Sequence, residues 1–288
     1  MDFSIYQDTD IGARPTNQDR MGYCFTRESL LMIVADGLGG HLCGDVAAQL
    51  ALQEAATLFR QAALPRLQDP EAFLDQAFHA GHRELHRYRE EHGLAEVPRT
   101  TIVACIVQDN LAWWAHVGDS RLYLMRRGQL LTRTRDHSKV ETLLRLGRIS
   151  QEQAATHPER NKVLNCLGSP FEPTIETQTQ VALRAGDAVV LCSDGFWNGL
   201  DEAGMAKALD EEPVSEVVPR LVRRAVQRQG AAADNTTALA LQWNAGFGSA
   251  QLSPLSAITL PDSTVTTGIG FGYDRGSRPT HSTTNKPT

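Results

Sequence analysis

The chain has 288 residues, 41% of them hydrophobic, which is enough to bury one substantial core or at most two small ones. Its net charge of −6, without a cluster of lysine and arginine, excludes the basic surface with which proteins bind nucleic acids. No apolar stretch is as long as a bilayer-spanning helix, the first ten residues do not resemble a signal peptide, and the five cysteines form no CxxC pair, so we expect a cytoplasmic protein with no membrane partner.

β-rich runs and longer helical patterns alternate through the first 244 residues. Strands are predicted at 30–35, 102–107, 111–117, 122–125, 188–192 and 237–243, and helices at 45–61, 70–91 and 214–229. Turn-forming residues at 108–110 and 127–128 join neighbouring strands as hairpins. Because hairpins outnumber βαβ units, this order predicts an α+β fold with antiparallel sheets covered by helices.

The composition changes after residue 244. Residues 245–288 are rich in glycine, serine, threonine and proline and contain almost no periodic apolar residues. Such a segment buries too little apolar surface to offset the entropy of ordering its backbone. We therefore predict a folded domain at 1–244 followed by a disordered tail at 245–288.

Acidic residues stand next to several of the predicted strands. An aspartate closes or precedes the strand-like runs at five places: Asp19, Asp36, Asp119, Asp194 and Asp234. Any single Asp-Gly pair is more often a turn than a ligand. Carboxylates gathered at one sheet edge, however, repel one another unless cations neutralise them. Glycines beside three of these aspartates would let a hard cation approach the backbone, so the set predicts a site for divalent metal ions.

Single positions exclude two kinds of phosphate-binding site. None of the five cysteines is followed by arginine six residues later, as the phosphate-binding loop of a cysteine-dependent phosphatase requires. The glycine-rich run at 39–44 is followed by Asp45 in place of the lysine of a P-loop, and a carboxylate there would repel a nucleotide's phosphates. Neither a cysteine intermediate nor a P-loop is expected.

Three histidines on the predicted helix at 70–91 have a spacing that could bind zinc. His79, His82 and His86 fall on one helical face. The same helix is crowded with arginine and glutamate, which is typical of a solvated face. We therefore expect these histidines to be part of a polar surface.

Taken in order, the motifs resemble the bacterial branch of the metal-dependent PP2C (PPM) phosphatase family. They are GARPTNQD at 12–19, VADGLGGH at 34–41 with Gly44-Asp45, Thr100-Thr101, HVGDSR at 116–121, the run at 131–138 ending in DHS, Leu167-Gly168, SDG at 193–195 and DNTT at 234–237. Each is weak alone, but the ordered set spans about residues 4–243 and is specific. The resemblance implies an α-β-β-α sandwich, with two antiparallel sheets flanked by helices, and a protein serine/threonine phosphatase.

The resemblance also implies which residues hold the metal ions. Asp36 would bridge two ions, with the carbonyl of Gly37 as a further ligand. Asp194 and Asp234 would complete the shell of one ion, and Asp19 would act through bound water. Oxygen ligands alone favour Mn²⁺ or Mg²⁺ over Zn²⁺. Two such ions lower the pKa of a water bridging them, and the resulting hydroxide attacks phosphorus without a covalent enzyme intermediate.

Two further positions and one segment acquire roles from the resemblance. Asp119 corresponds to the aspartate that recruits a third, weaker metal ion. Arg14 corresponds to the phosphate clamp, since a guanidinium can hold two phosphate oxygens at once and lysine cannot. The segment at 136–165 would form a flap beside the active site, where its arginines could contact an acidic or phosphorylated protein segment.

Four positions depart from the family pattern. Gln18 stands in place of a glutamate, Arg99 in place of the glycine before the threonine pair, and Asp45 where a glutamate is common. Leu38 stands in place of the histidine that eukaryotic relatives carry as a proposed general acid. Two functions therefore remain open. One is an active phosphatase that opposes a eukaryotic-like serine/threonine kinase in a bacterial cell. The other is a phosphoprotein-binding module that keeps the fold with little or no turnover. For either, we expect a monomer that binds phosphorylated serine/threonine proteins.

Overall fold

The structure is a computed structural model that describes residues 1–38, 43–243, 257–258 and 266–268. The strands in these ranges are β1 (Phe3–Asp10), β2 (Asp19–Phe25), β3 (Ser29–Asp36), β4 (Ile102–Gln108), β5 (Leu111–Val117), β6 (Arg121–Arg126), β7 (Gln129–Arg133), β8 (Glu176–Ala182), β9 (Ala188–Cys192), β10 (Thr236–Trp243), β11 (Ala257–Ile258) and β12 (Thr266–Gly268). The helices are α1 (Gly44–Ala62), α2 (Pro70–His92), α3 (Lys139–Arg145), α4 (Gln151–Ala155), α5 (Asp194–Asn198), α6 (Glu202–Glu211) and α7 (Val214–Gln229).

The strands form two sheets. One has the order β1-β10-β9-β6-β7, and the other has the order β11-β12-β2-β3-β4-β5-β8. Every pair of neighbouring strands is antiparallel. Both predicted hairpins are present, and the residues of their tight turns, 109–110 and 127–128, have positive φ angles. Two consecutive residues with positive φ match the twist of paired strands, which is why asparagine, aspartate and glycine are preferred there.

Three apolar layers hold the sheets and helices together. The first lies between the larger sheet and α1 and α2, and includes Phe59 and Phe78. The second lies between the two sheets, and includes Trp243. The third lies between the smaller sheet and α5–α7, and includes Tyr123 and Phe196. The layer order is helix, sheet, sheet, helix, so the predicted α-β-β-α sandwich is confirmed.

The strand β3 shows why the site forms where it does. Leu31 and Ile33 pack in the layer against the helices, whereas Leu30 and Met32 pack in the layer between the sheets. Both faces of this strand are covered, so an uninterrupted apolar run is required, in keeping with the alternation of side chains along a strand. The run stops at Asp36, the residue with which β3 ends and the first in the strand to be only partly buried.

The helix α2 begins and ends at residues suited to those positions. The side chain of Asp69 accepts a hydrogen bond from the backbone N–H of Ala72 at 3.0 Å, Pro70 occupies the first turn, and Gly93 follows the helix with a φ of 61°. No helix in the described ranges combines the length and the apolar surface that a bilayer crossing requires.

The predicted solvated histidine face of α2 needs correction at one position. His82 is only 5% exposed, and its Nδ1 accepts a hydrogen bond from the N–H of Gly168 at 3.1 Å. His86 lies 2.9 Å from the carbonyl of Ser169 through Nε2, and His79 lies 3.2 Å from a carboxylate oxygen of Glu172. These histidines hold the segment at 168–172 against α2, because each has its own partner there.

The described residues beyond 244 are two short strands. In β12, Thr267 lies opposite Cys24 of β2, and β11 pairs with β12. These five residues are extended and paired, whereas we predicted a disordered tail. The rest of the predicted tail lies outside the described residues, and the domain boundary at 244 stays a prediction.

Candidate active site

Strand ends and loops meet at a cavity of about 300 Å³. The residues predicted for the site that line it are Arg14, Asp36, Gly37, Asp119, Asp194 and Asp234. The remaining one, Asp19, is 2% exposed and lies opposite Asp36 in the pairing of β2 with β3. The structure therefore brings the predicted site residues together: four aspartates, Gly37 and Arg14 line one cavity, and the buried Asp19 lies opposite Asp36.

The threonine pair at 100–101 fixes the backbone around Asp36. The N–H of Thr101 and the hydroxyl of Thr100 both donate to the carbonyl of Asp36 at 2.9 Å. The N–H of Asp36 donates in return to the hydroxyl of Thr101 at 3.3 Å. At the next residue, a Cβ on Gly37 would lie 2.1 Å from the carbonyl oxygen of Gly44. Only glycine fits there, because real Cβ atoms do not approach backbone so closely.

Asp19 is a buried carboxylate with one oxygen left without a partner. Its Oδ2 accepts a hydrogen bond from the hydroxyl of Ser193 at 2.7 Å, and that hydroxyl accepts one from the N–H of Thr237 at 3.1 Å. Its Oδ1 has no hydrogen-bond partner among the described residues. Burial raises the pKa of Asp19 to about 6. A buried charged oxygen without a partner is costly, so this atom suits a cation or a bound water.

Three further carboxylates of the cavity, those of Asp36, Asp119 and Asp194, also resist ionisation in the absence of a cation. Burial, followed by the charges of the neighbouring aspartates, holds the pKa of both Asp36 and Asp194 well above the usual value. Burial raises the pKa of Asp119 to about 7, with a further contribution from the charge of Asp136. Shifts of this kind mark a site whose charges are balanced by something the chain itself does not supply. Divalent cations bound through oxygen fit that requirement.

Arg14 lies at the mouth of the cavity, and Asn235 holds the loop that carries it. The Nη2 of Arg14 donates to Oδ2 of Asp234 at 2.6 Å, and the Arg14 side chain is 52% exposed. The amide nitrogen of Asn235 donates to the carbonyls of Ile11 at 2.9 Å and Thr16 at 3.0 Å. Sequence reasoning placed Asn235 in a motif without a role, and its function is to position this loop.

Asp119 follows a tight turn at Gly118 that neighbouring side chains hold in place. Gly118 has a φ of 108°, and a Cβ on it would lie 2.6 Å from the side chain of Thr101. The indole N–H of Trp197 donates to the carbonyl of Asp119 at 2.9 Å. The guanidinium of Arg121 lies 3.5 Å above the Trp197 ring and forms two hydrogen bonds of 2.7 Å with Asp136. Sequence reasoning gave Trp197 and Arg121 no role, although Arg121 belongs to a recognised motif.

The flap segment approaches the same cavity. Asn161 and Val163 line it together with the aspartates, and Val163 forms an isolated bridge with Ser138. The N–H of Lys139 donates to the carbonyl of Lys162 at 3.2 Å, which ties the outgoing and returning parts of the flap together. The flap therefore lies beside the site, where the resemblance puts it.

Most of the chain matches the model of a known protein family. Residues 8–235 match the family model of protein phosphatase 2C. The chain belongs to the protein phosphatase 2C family. The predicted family and fold are thereby confirmed.

Individual members of the family resemble most of the chain. It is 36% identical over 231 residues to the serine/threonine protein phosphatase PstP of Mycobacterium tuberculosis, covering 78% of this chain and 41% of that protein. It is 34% identical over 241 residues to the serine/threonine phosphatase stp of Listeria innocua, covering 82% of this chain and 94% of that protein. The chain thus spans less than half the length of the first relative and nearly all of the second.

A solved structure has the same fold with metal bound. It is the catalytic domain of PstP in complex with two manganese ions, and it superposes with a TM-score of 0.71 at 32% identity, covering 84% of this chain and 98% of that one. Family membership implies metal dependence, and the named relatives favour a phosphatase over a binding module without turnover.

Proposed function

We propose that this chain hydrolyses phosphoserine and phosphothreonine in proteins with two Mn²⁺ or Mg²⁺ ions. The observation that carries the proposal is the group of aspartates that line one cavity, in which the pKa values of Asp36 and Asp194 are raised. Beside them lies Oδ1 of Asp19, which has no partner among the described residues. Asp36, Gly37, Asp194 and Asp234 would hold the two ions, with Asp19 acting through water. Asp119 would hold a third, weaker ion. All these donors are oxygens, which suits Mn²⁺ and Mg²⁺.

The residues that line the cavity would then have different roles in the reaction. When bound, the ions supply Lewis-acid chemistry that produces a nucleophile from water at neutral pH and stabilises charge on the phosphoryl oxygens. Arg14 binds the phosphate, because its half-exposed guanidinium at the cavity mouth can turn from Asp234 to two phosphate oxygens. Leu38 lines the cavity and has no ionisable proton, so the proton for the leaving hydroxyl comes from water or another group.

The partners and location follow from the same function. The relatives are named serine/threonine phosphatases, so we infer phosphorylated proteins as substrates and a cognate serine/threonine kinase as the enzyme whose action is reversed. The five cysteines are free thiols, four of them buried, which fits a reducing cytoplasm. We expect a monomer in solution.

The test is hydrolysis of p-nitrophenyl phosphate and of a phosphothreonine peptide in Mn²⁺. We expect turnover that a chelator removes and that Asp194→Asn lowers by about 100-fold or more, since a neutral amide replaces a charged direct ligand. Asp210→Asn is the matched control, because Asp210 is exposed and does not line the cavity. Turnover that survives both chelator and Asp194→Asn would exclude the proposal. Tight phosphopeptide binding without turnover would favour the binding module.

A further inference from the structure

Two segments meet behind Asp119, outside the carboxylate cavity. His137, which leads into the flap, binds both backbone groups of Gly118: its N–H donates to the Gly118 carbonyl at 2.8 Å, and its Nδ1 accepts from the Gly118 N–H at 3.2 Å. The neighbouring His116 lies 2.6 Å from the carbonyl of Arg135 through Nε2. The turn that ends in Asp119 is therefore held by one side chain and its backbone.

The same histidine also binds the returning part of the flap. Its carbonyl accepts a hydrogen bond from the N–H of Leu164 at 2.8 Å, and its Nδ1 lies 2.7 Å from the amide nitrogen of Asn165. Thr174 orients the Asn165 amide through two hydrogen bonds. The amide nitrogen of Asn165 donates to the Thr174 carbonyl at 2.6 Å, and the Thr174 N–H donates to the amide oxygen of Asn165 at 3.2 Å. The residue before Leu164, Val163, lines the carboxylate cavity. His137 thus connects the Asp119 turn to the wall of the cavity.

The hydrogen bonds decide which nitrogen of His137 carries the proton. Two N–H donors point at Nδ1, so Nδ1 must present a lone pair and the proton must lie on Nε2. Nε2 faces a carboxylate oxygen of Glu176 at 3.4 Å. His116 donates from Nε2 to a carbonyl, so its buried Nδ1 also presents a lone pair, and that atom has no partner among the described residues.

These side chains resemble a zinc site, but the tautomer of His137 opposes one. Ligand atoms of His116, His137 and Glu176 lie within 4.8 Å of one another. A metal ion would need the lone pair of His137 at Nε2, which would move the proton to Nδ1. There it would face the N–H of Gly118 and the amide of Asn165, both of them donors. The arrangement therefore favours a hydrogen-bonded junction over metal ligation.

We propose that His137 is a positioning residue that holds the Asp119 turn and the flap in register for the reaction at the carboxylate cavity. The inference rests on the proposed function for its effect on turnover. Gly118 adopts a backbone conformation that other residues avoid, and the Thr101 side chain closes the space beside it. Without the Nδ1 acceptor, the Gly118 N–H is left without its partner, and Asp119 follows it in the chain.

Two substitutions distinguish the role of the Nδ1 acceptor from that of the rest of the His137 ring. In His137→Asn, the amide oxygen can occupy the position of Nδ1, whereas the longer side chain of His137→Gln reaches the position of Nε2. We expect His137→Gln to lower kcat for p-nitrophenyl phosphate about tenfold and to raise the Mn²⁺ concentration for half-maximal rate, as loss of an orienting partner does. We expect His137→Asn to stay within about threefold of the wild type, because the acceptor is retained.

A second measurement does not depend on activity. NMR of the metal-free full chain should show His137 protonated at Nε2 and unprotonated at Nδ1. Exchange of the Gly118 amide should accelerate in His137→Gln and not in His137→Asn. An Nδ1-protonated ring, equal rates in His137→Gln and the wild type, or stoichiometric Zn²⁺ binding through Nε2 would each overturn the inference. If the wild type hydrolyses nothing, the proposed function fails, and the NMR and exchange results still decide the role of His137. If His137→Gln does not fold, the wild-type tautomer and the Asn variant decide it.

Discussion

The buried carboxylate of Asp19 should make the metal-free protein less stable as the pH rises. Burial raises its pKa from 3.8 to about 6, so between these values the folded protein holds a proton that the unfolded chain has released. When the native state binds more protons, the free energy of unfolding falls with increasing pH. A shift of about two units corresponds to about 3 kcal/mol. This stability is present below the lower value and is lost as the pH passes about 6.

The substitution Asp19→Asn isolates this effect. Asparagine keeps an oxygen that can accept the hydrogen bond from Ser193, and it has no titrating group. In a chelator, the free energy of unfolding of the variant minus that of the wild type should become more positive by up to about 3 kcal/mol between about pH 4 and about pH 7. Urea denaturation followed by fluorescence of the four tryptophans measures it. Near neutral pH, bound Mn²⁺ should make the wild type more stable than Asp19→Asn. The metal binds the folded state and not the unfolded chain, and the wild-type site, which keeps the Asp19 carboxylate, binds it more tightly.

The pH dependence of the difference is what tests the reasoning. The other aspartates of the site are present in both proteins, so much of their titration cancels in the comparison. Asp210→Asn, at an exposed position, is the control for the loss of one carboxylate away from the cavity. Parallel stability curves for Asp19→Asn and the wild type would refute the reasoning, and so would a variant that becomes relatively less stable as the pH rises.

Substitutions at three further positions test other parts of the site. Gly37→Ala would place a Cβ 2.1 Å from the carbonyl oxygen of Gly44 and should lower stability by about 1–3 kcal/mol in thermal unfolding, together with loss of turnover; an unchanged melting temperature contradicts this. Arg14→Lys should lower kcat/KM for p-nitrophenyl phosphate by about tenfold, because one ammonium replaces a two-pronged clamp, and an unchanged value argues against a clamp. Arg121→Met should cost about 3–5 kcal/mol in urea denaturation by leaving the buried Asp136 unpaired, whereas Arg121→Lys should recover part of the loss.

Short-range patterns predicted most of the strands beside the catalytic candidates, although not β2, which begins at Asp19. Side chains on successive strand residues point to opposite faces, so an apolar run such as that of β3 must be covered on both sides. The same alternation predicts different surroundings for Trp113 and Trp114, and the structure has Trp114 between the sheets and Trp113 against the layer of the helices. Asp36 could be singled out because it ends such a run next to glycine.

Long-range contacts could not be predicted in the same way. Ser193 and Asp19 are 174 residues apart, and Asn235 and Ile11 are 224 apart, so no local period connects them. The strand β1 was missed because its polar residues obscure the alternation, although Gln7 among them is 2% exposed. His82 was placed on a solvated face because the cover at 168–172 comes from a distant part of the chain.

The position of β10 in its sheet has a consequence for synthesis. Although it is the last strand before residue 244, it lies between β1 and β9 and pairs with both. A nascent chain leaving the ribosome must therefore keep the place between two earlier strands open until residues 236–243 emerge. Because Asp234 and Asn235 arrive with that strand, the loop that carries Arg14 and the carboxylate cavity are completed at the same moment, and a partly translated chain lacks the assembled cavity.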